Sequence, residues 1–449
     1  MKTRSVRGID MINGPLLPGI LRFALPLALS SVLQLAFNAA DMIVLGQFAG
    51  KTALAAVGAT GALINLIVNL FAGLSVGVNV IVANKMGAKQ HQEISDTVHT
   101  AMITALLGGV GLLLIGILFA DTFLVLMGTP TDVISQSSVY MRVYFAGMPF
   151  LMIYNFGSAV LRATGDTKRP LYYLSLAGVL NVVLNLFFVI VLHMDVAGVA
   201  LATILSQGVS AALIVLCLMR TEGCCQLVPA KLKIHKGILL QMLRIGMPAG
   251  LQGCLFSLSN VLIQSAINSF GSVVMSANTA AGNIEGFLGV LVNAMHQAAL
   301  NFIGQNYGAH NTKRIDKAMT YSALIAVIMS LTVGILAYLF GRPLLRLYTD
   351  DPAVIEYGLI RMRIMFTLYF LGGLMDVSCG AMRGLGYSFL PMVVSLAGIC
   401  GFRILWLYTV FAWDPTLSTL YLSYPISWGL TAAAHFGCFL YVRKHKLHT

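Results

Sequence analysis

The chain has 449 residues, of which 58% are hydrophobic and 10% charged, and its formal net charge at pH 7 is +12. Soluble proteins carry about 25% charged residues, so this composition excludes a soluble globular protein. Apolar windows of about 20 residues recur along the whole length, and each is long enough to cross a bilayer. The sequence therefore predicts an all-α polytopic membrane protein.

Twelve transmembrane helices are predicted, six on each side of a basic stretch from Arg220 to Lys236. In chain order they lie near residues 20–46, 54–83, 97–120, 136–161, 171–192, 196–219, 238–269, 273–304, 319–340, 356–382, 390–413 and 418–441. The predicted domains are an N-terminal six-helix lobe (1–219), a cytoplasmic linker (220–237) and a C-terminal six-helix lobe (238–449).

The distribution of basic residues predicts the orientation of these helices. Most of the 28 lysines and arginines, including Lys2, Arg4 and Arg7, fall on one side of the membrane when both termini are cytoplasmic. An excess of basic residues in cytoplasmic loops is the usual rule. We therefore expect a multi-pass monomer in the cytoplasmic membrane, in contact with lipid. The positive charge is then a topology signal and does not indicate a nucleic-acid partner.

The two halves of the chain resemble each other. The segment from Arg22 to Pro26 returns at Arg244 to Pro248, 222 residues later, and further pairs match at an offset of 221. An even number of spans in each half makes the repeats parallel, as in transporters whose substrate site lies between equivalent halves. Pro26 and Pro248 each remove a backbone hydrogen bond, so both are predicted to let their helices bend.

Asp41 is one of three acids that fall inside predicted spans, and an intramembrane acid is a candidate for function. Gln34, Asn38 and Asp41 share one face of the first helix at i, i+4, i+7 spacing. The fifth and sixth helices offer Asn181, Asn185 and Thr203. Such a set could coordinate Na⁺ or carry a proton on the carboxylate. The other interpretation is a polar cluster that only holds helices together.

The C-terminal half contains the other two intramembrane acids, Glu285 and Asp376. They lie among polar residues that suggest the lining of an aqueous vestibule, including Asn278, Gln264 and Gln297. This set is a candidate for substrate binding or for a second acidic site, and its acids would attract a cationic ligand. The other interpretation is a structural salt bridge between either acid and Arg403. The sequence predicts no metal site.

The order of these motifs resembles the multidrug and toxic compound extrusion (MATE) transporters over essentially the whole chain. Residues 23–26 leading to Gln34, Asn38 and Asp41 resemble the first helix of the family. Residues 281–286 and 304–309 resemble its eighth helix and the loop that follows, and residues 161–166 resemble its fourth-to-fifth connection.

The resemblance implies two pseudo-symmetric six-helix lobes that export organic cations by alternating access, driven by H⁺ or Na⁺ and needing no other cofactor. It implies a coupling role for Asp41 and bending of the first helix at Pro26. Some family members have an Asn and an acid in the fifth helix and a Thr in the sixth, which match Asn181, Asn185 and Thr203 here. Asn185 departs from that pattern, because an amide replaces the carboxylate.

We therefore expect a secondary active transporter that exports amphipathic, cationic small molecules. A flippase for lipid-linked oligosaccharides or lipids is the alternative within transport. Spans beyond twelve and a cationic central cavity would favour it, and the sequence shows neither. A membrane-embedded lipid-modifying enzyme is the alternative from another class. It would require clustered acids or a nucleophile with a histidine near the interface, and the sequence shows neither.

Overall fold

The computed structural model describes residues 8–446, without the side chains of Lys51, Leu54, Ala62 and Lys446. Every regular element in that range is helical, as predicted. Lys2, Arg4 and Arg7, which the charge pattern assigns to the cytoplasmic side, lie outside the described residues.

The helices of the first half run from α1 to α7. Their bounds are α1 (Leu16–Val44), α2 (Gly50–Gly87), α3 (His91–Leu126), α4 (Ile134–Ala146), α5 (Met148–Ala163), α6 (Lys168–Leu186) and α7 (Asp195–Arg220). Wider π-helical turns follow α1 at Leu45–Ala49 and α6 at Phe187–Val191. Such turns often occur at functional sites.

The helices of the second half run from α8 to α17. Their bounds are α8 (Lys236–Asn268), α9 (Ser272–Gly308), α10 (Thr312–Leu339), α11 (Gly341–Arg346), α12 (Pro352–Met365), α13 (Tyr369–Gly384), α14 (Phe389–Ser395), α15 (Phe402–Tyr408), α16 (Val410–Trp413) and α17 (Leu417–Lys446). A π-helical turn, Leu396–Gly401, joins α14 to α15.

Within the described range, nine helical segments are long and apolar enough to span a membrane, and two bent pairs raise the number to eleven. The pairs are α4 with α5, bent by 45°, and α12 with α13, bent by 48°. They correspond to the fourth predicted span of each half. In the first pair Pro149 lies in the first turn of α5, where a residue without a backbone N–H is tolerated.

The helix α17 brings the total to the twelve predicted spans. It has 30 residues, so it is long enough to cross the bilayer. Every fourth residue of one face is polar and buried, at Ser423, Ser427, Thr431 and His435. These residues lower the mean hydropathy of the helix, but the apolar residues between them still predict the span near residues 418–441.

The described chain forms two compact units. The N-unit contains Leu29–Met86 and Gln90–Gly250 with Gly8 and Ile9, and the C-unit contains Asp10–Ala28, Gly87–Lys89 and the chain from Leu251 onward. Thus α1 changes unit two residues after Pro26, and α8 changes unit two residues after Pro248. The lobes 1–219 and 238–449 stay a prediction.

Close helix packing inside the N-unit depends on glycine. A Cβ atom added at Gly250 of α8 would lie 2.2 Å from the backbone oxygen of Leu70 on α2. A Cβ at Gly73 of α2 would lie 2.2 Å from the backbone nitrogen of Gly250. Since both obstacles are backbone atoms, the two helices can approach this closely only because neither position carries a side chain.

We predict that Gly250→Ala lowers the melting temperature of the purified protein in detergent. The added methyl group must push α2 and α8 apart, and overpacking of this kind costs about 1–3 kcal/mol. The matched control is Gly237→Ala on the same helix, where a Cβ meets nothing within 4 Å. That variant should be neutral or slightly stabilising, because alanine favours a helix by about 1 kcal/mol. Equal effects of the two substitutions would contradict the packing argument.

Candidate functional site

Three helices of the N-unit bring Asp41 and its predicted partners together. The Asn185 side chain on α6 donates from Nδ2 to Asp41 Oδ1 on α1 and to Asn181 Oδ1 at 3.3 Å. Asn181 in turn donates to Thr203 Oγ1 on α7 at 3.4 Å. The four side chains therefore form one continuous hydrogen-bonded chain that ends at the carboxylate.

The amide of Asn185 is fully buried, yet its Oδ1 atom has no hydrogen-bond partner among the described residues. Leaving a buried acceptor unsatisfied costs about 1–3 kcal/mol. When Asp41 is ionised, this oxygen is available as a ligand for a cation. When Asp41 is protonated, a rotated amide can accept a hydrogen bond from the carboxylic acid. The cluster can therefore accommodate one positive charge, either as a bound cation or as a proton on Asp41.

The rest of the N-unit site differs from the simple helix face expected from the sequence. Gln34 and Asn38 share the helix with Asp41, but both side chains are exposed. Two tyrosines of α4 that the sequence did not suggest, Tyr140 and Tyr144, lie close enough to Asp41 to interact with its charge. They were missed because no helical spacing within one segment connects them to Asp41.

In the C-unit, Glu285 on α9 forms an ion pair with Arg361 on α12. The distance between Arg361 Nη2 and Glu285 Oε2 is 2.5 Å, and both side chains are nearly buried. Arg361 also donates from Nη1 to the backbone oxygen of Asn278 at 3.1 Å and to Asn278 Oδ1. Asn278 Nδ2 donates to Gln264 Oε1 at 2.9 Å. Glu285 is thus held in a fixed network.

The alternative interpretation, a salt bridge between an acid and Arg403, is wrong for Glu285, whose partner is Arg361. Arg403 instead donates from Nε to Ser427 Oγ at 3.1 Å and from Nη1 to Asn260 Oδ1 at 3.4 Å. Arg361 lies close to the start of the predicted span 356–382, where a long basic side chain is expected to reach the membrane surface. In the structure its side chain is buried instead, in a span that is bent between α12 and α13.

Asp376 belongs to a different part of the C-unit. Its backbone oxygen accepts a hydrogen bond from His296 Nδ1 at 2.7 Å, and its side chain makes no ion pair within 4 Å among the described residues. Arg383 is the cation that acts on it electrostatically. Arg383 donates to Gln252 Oε1 at 2.8 Å and lies 3.4 Å from His296 Nε2.

The remaining C-unit candidate, Gln297, does not join Glu285. It lies twelve positions further along α9, about 18 Å away along the helix axis. The sequence-predicted C-terminal set is therefore split in two: Glu285, Asn278 and Gln264 lie together, and Asp376 and Gln297 lie elsewhere. Within residues 8–446, no three His, Cys, Asp or Glu side chains are grouped so that they could hold a metal ion.

The MatE family model matches the chain twice, over residues 26–187 and 248–409. The chain belongs to the MatE family of efflux transporters. Both matches begin at the paired prolines, Pro26 and Pro248, and they confirm the internal duplication. Family membership also means that the protein is a secondary transporter and not an enzyme.

Related proteins align with nearly the whole length of this MATE protein. The probable multidrug resistance protein YoeA of Bacillus subtilis (strain 168) is 27% identical over 432 residues, 94% of this chain and 93% of that protein. The FAD transporter of Shewanella oneidensis is 23% identical over 390 residues, 86% of each chain.

A solved structure confirms the fold. The MOP superfamily transporter from Pyrococcus furiosus Vc1, described as having a binding pocket of reverse polarity, superimposes with a TM-score of 0.91 at 24% identity. The match covers 99% of each chain. At this identity the likeness shows the fold, a MATE architecture of two repeated lobes, and it leaves the substrate open.

We predict that Glu285→Gln and Arg361→Gln each destabilise the protein strongly. Removing one partner of a buried pair leaves an uncompensated charge and costs about 3–5 kcal/mol. The double substitution should destabilise by much less than the sum of the two, which thermal unfolding in detergent can measure.

The exposed pair Arg342–Glu356 is the matched control for this cycle. It has the same 2.5 Å separation, but its side chains are 61% and 59% exposed. Exposed pairs contribute about 0–1 kcal/mol, so the same three glutamine variants should change the melting temperature little. A large effect at the exposed pair, or additive effects at the buried one, would refute the assignment.

Proposed function

We propose that this MATE protein exports amphipathic small molecules by alternating access, coupled to inward movement of H⁺ or Na⁺ at Asp41. The observation that carries the proposal is the chain of hydrogen bonds from Thr203 to Asp41, which surrounds a single carboxylate with neutral partners only. A carboxylate in the membrane without a cationic partner is costly until an ion neutralises it. Binding and release of one cation therefore change the energy of this site greatly.

The donor set is compatible with either ion. Carboxylate, amide and hydroxyl oxygens are hard ligands of the kind that hold small cations. Asp41, the free Oδ1 of Asn185 and Asn181 provide such oxygens. A proton on Asp41 needs only one acceptor, which the Asn185 amide can supply after rotation. The single carboxylate supports coupling to one monovalent cation in each cycle.

The coupling of ion binding to movement is proposed to run along α1. This helix carries both Asp41 and Pro26, and it changes from the C-unit to the N-unit two residues after the proline. Proline removes one backbone hydrogen bond of a helix and is the usual place for a bend. Pro248 occupies the equivalent place in α8, so we propose that both helices bend at these points.

The protein is a multi-pass membrane transporter, and we propose that both of its termini are cytoplasmic, as the basic residues predict. Its cargo is less closely defined. One relative is named a multidrug resistance protein and another an FAD transporter, so the family alone does not fix the charge of the substrate. The sequence prediction of a cationic substrate rested partly on Glu285, which Arg361 already neutralises.

We predict that Asp41→Asn abolishes ion-driven export of a fluorescent dye from proteoliposomes while the protein remains folded. The amide has the same shape but cannot exchange a charge. The control is Asp195→Asn, an exposed acid at the start of α7 in the same unit, and its transport should equal that of the unmodified protein. Undiminished transport by Asp41→Asn would sink the coupling assignment.

We further predict that Asn185→Asp makes transport depend more steeply on the coupling ion. A second carboxylate next to Asp41 adds one negative charge, so the occluded site needs a second cation. The measurement applies pH gradients and sodium gradients separately to proteoliposomes and compares the slopes of rate against ion concentration. The unmodified protein should respond to only one of the two gradients. An unchanged slope in the variant would contradict a one-carboxylate site.

A further inference from the structure

Arg403 on α15 is a buried guanidinium with only neutral partners. Its side chain is 4% exposed, donates to Ser427 and Asn260, and lies with its central carbon 4.0 Å from the centre of the Tyr424 ring. Its Nη2 atom makes no hydrogen bond to the described residues. The bond from Nη1 to Asn260 is long, at 3.4 Å. The terminal edge of the guanidinium therefore retains free donors.

The charges around Arg403 leave it uncompensated. Glu285 is the acid that acts on it electrostatically, but Arg361 already binds that carboxylate. Asp376 interacts electrostatically with Arg383 instead, although the two side chains make no ion pair within 4 Å. Arg361 and Arg383 thus each have a carboxylate that acts mainly on them, and Arg403 shares its nearest carboxylate with Arg361.

Comparison with Arg361 separates a structural arginine from a binding one. Both terminal nitrogens of Arg361 donate to fixed acceptors, one of them a carboxylate. Arg403 has neither a carboxylate nor an acceptor for Nη2. A buried cation without a counter-ion is costly in the membrane, and the contact with the Tyr424 ring and two hydrogen bonds to neutral groups offset only part of that cost. A ligand that brings the missing negative charge would offset the rest.

We propose that Arg403 binds the anionic group of the transported amphiphile, a phosphate, sulfonate or carboxylate. The free Nη1–Nη2 edge can donate two parallel hydrogen bonds to such a group, for which the planar guanidinium is well suited. Asn260, whose side chain is exposed, marks where the guanidinium meets accessible space. This proposal rests on the proposed export function and names its substrate class.

Tyr424, whose ring lies against the Arg403 guanidinium and is partly exposed, suits the apolar part of such a ligand. Trp428 packs edge-on against Tyr424, with ring centres 5.9 Å apart, and against Tyr369 at 5.2 Å. Aromatic faces favour flat apolar groups. A ligand with an aromatic body and one anionic group would therefore match both features of the site.

The test is equilibrium binding of two probes that share a pyrene body and carry groups of opposite charge: pyrene-1-sulfonate and (1-pyrenylmethyl)trimethylammonium. Fluorescence quenching with the full-length protein in phosphatidylcholine nanodiscs gives both affinities. We expect the sulfonate to bind about tenfold more tightly or better, the usual contribution of hydrogen bonds to charged groups. Equal affinities, or a preference for the cation, would overturn the proposal.

Variants assign the preference to Arg403. Arg403→Gln should weaken sulfonate binding about tenfold or more and leave the cationic probe unaffected or better bound. Arg403→Lys keeps the charge without the planar fork, so it should retain part of the preference. The matched control is Arg363→Gln, an exposed arginine on α12, which should bind both probes like the unmodified protein. Equal losses at Arg363 and Arg403 would refute a specific site.

Two further arms separate this proposal from others. Asp41→Asn should bind the sulfonate normally, so loss of coupled transport there leaves the anion site standing. Conversely, the unmodified protein could fail to prefer the sulfonate while its transport still needs Asp41. That result would refute the anionic substrate class and leave the proposed export function standing. Adding phosphatidylglycerol to the nanodiscs identifies the source of the anion. If phosphatidylglycerol competes with the sulfonate, the anion is a lipid headgroup. If it does not compete, the anion belongs to a soluble amphiphile. Both results support an anion site.

Discussion

The free energy of a charge inside the membrane is the constraint on which the rest of this structure depends. A charged side chain there must be paired, hydrated or neutralised. The charged side chains differ in how far they meet this constraint. Glu285 is paired with Arg361, whereas Asp41 has only amide and hydroxyl neighbours and Arg403 has only neutral partners. A paired charge stabilises the scaffold permanently. We propose that Asp41 and Arg403, which have only neutral hydrogen-bond partners, are the groups that meet an ion or a ligand.

We propose different roles for the two units, although they come from one duplicated sequence. In this proposal the N-unit presents a negative charge that a small cation cancels, and the C-unit presents a positive charge that an anionic ligand cancels. What the halves share is mechanical: each contains a helix with an internal proline, and each of these helices changes unit two residues later. The repeat supplies the scaffold and its bending points, and the chemistry lies where the copies diverge.

The pattern of residues predicted most of the fold and part of the candidate site. Apolar windows located the spans, because hydropathy has to match the bilayer, and Asp41, Asn181, Asn185 and Thr203 were found from helical spacing and family resemblance. The alternative that pairs Glu285 with Arg403 is wrong, because the partner of Glu285 is Arg361. Pairing across helices depends on which faces meet, and spacing within one segment carries no such information. The same limit hid Tyr140 and the buried polar face of α17.

The central claim is that Asp41 changes its charge state with the coupling ion while Glu285 does not. Infrared difference spectroscopy of the purified protein measures this directly, since ion binding alters the carboxyl stretching bands of the group that binds. The account predicts a carboxyl difference band on changing pH or sodium that disappears in Asp41→Asn and persists in the Glu285→Gln/Arg361→Gln double variant, in which the buried charge pair is removed as a whole. A band that persists in Asp41→Asn and disappears in the double variant would contradict it.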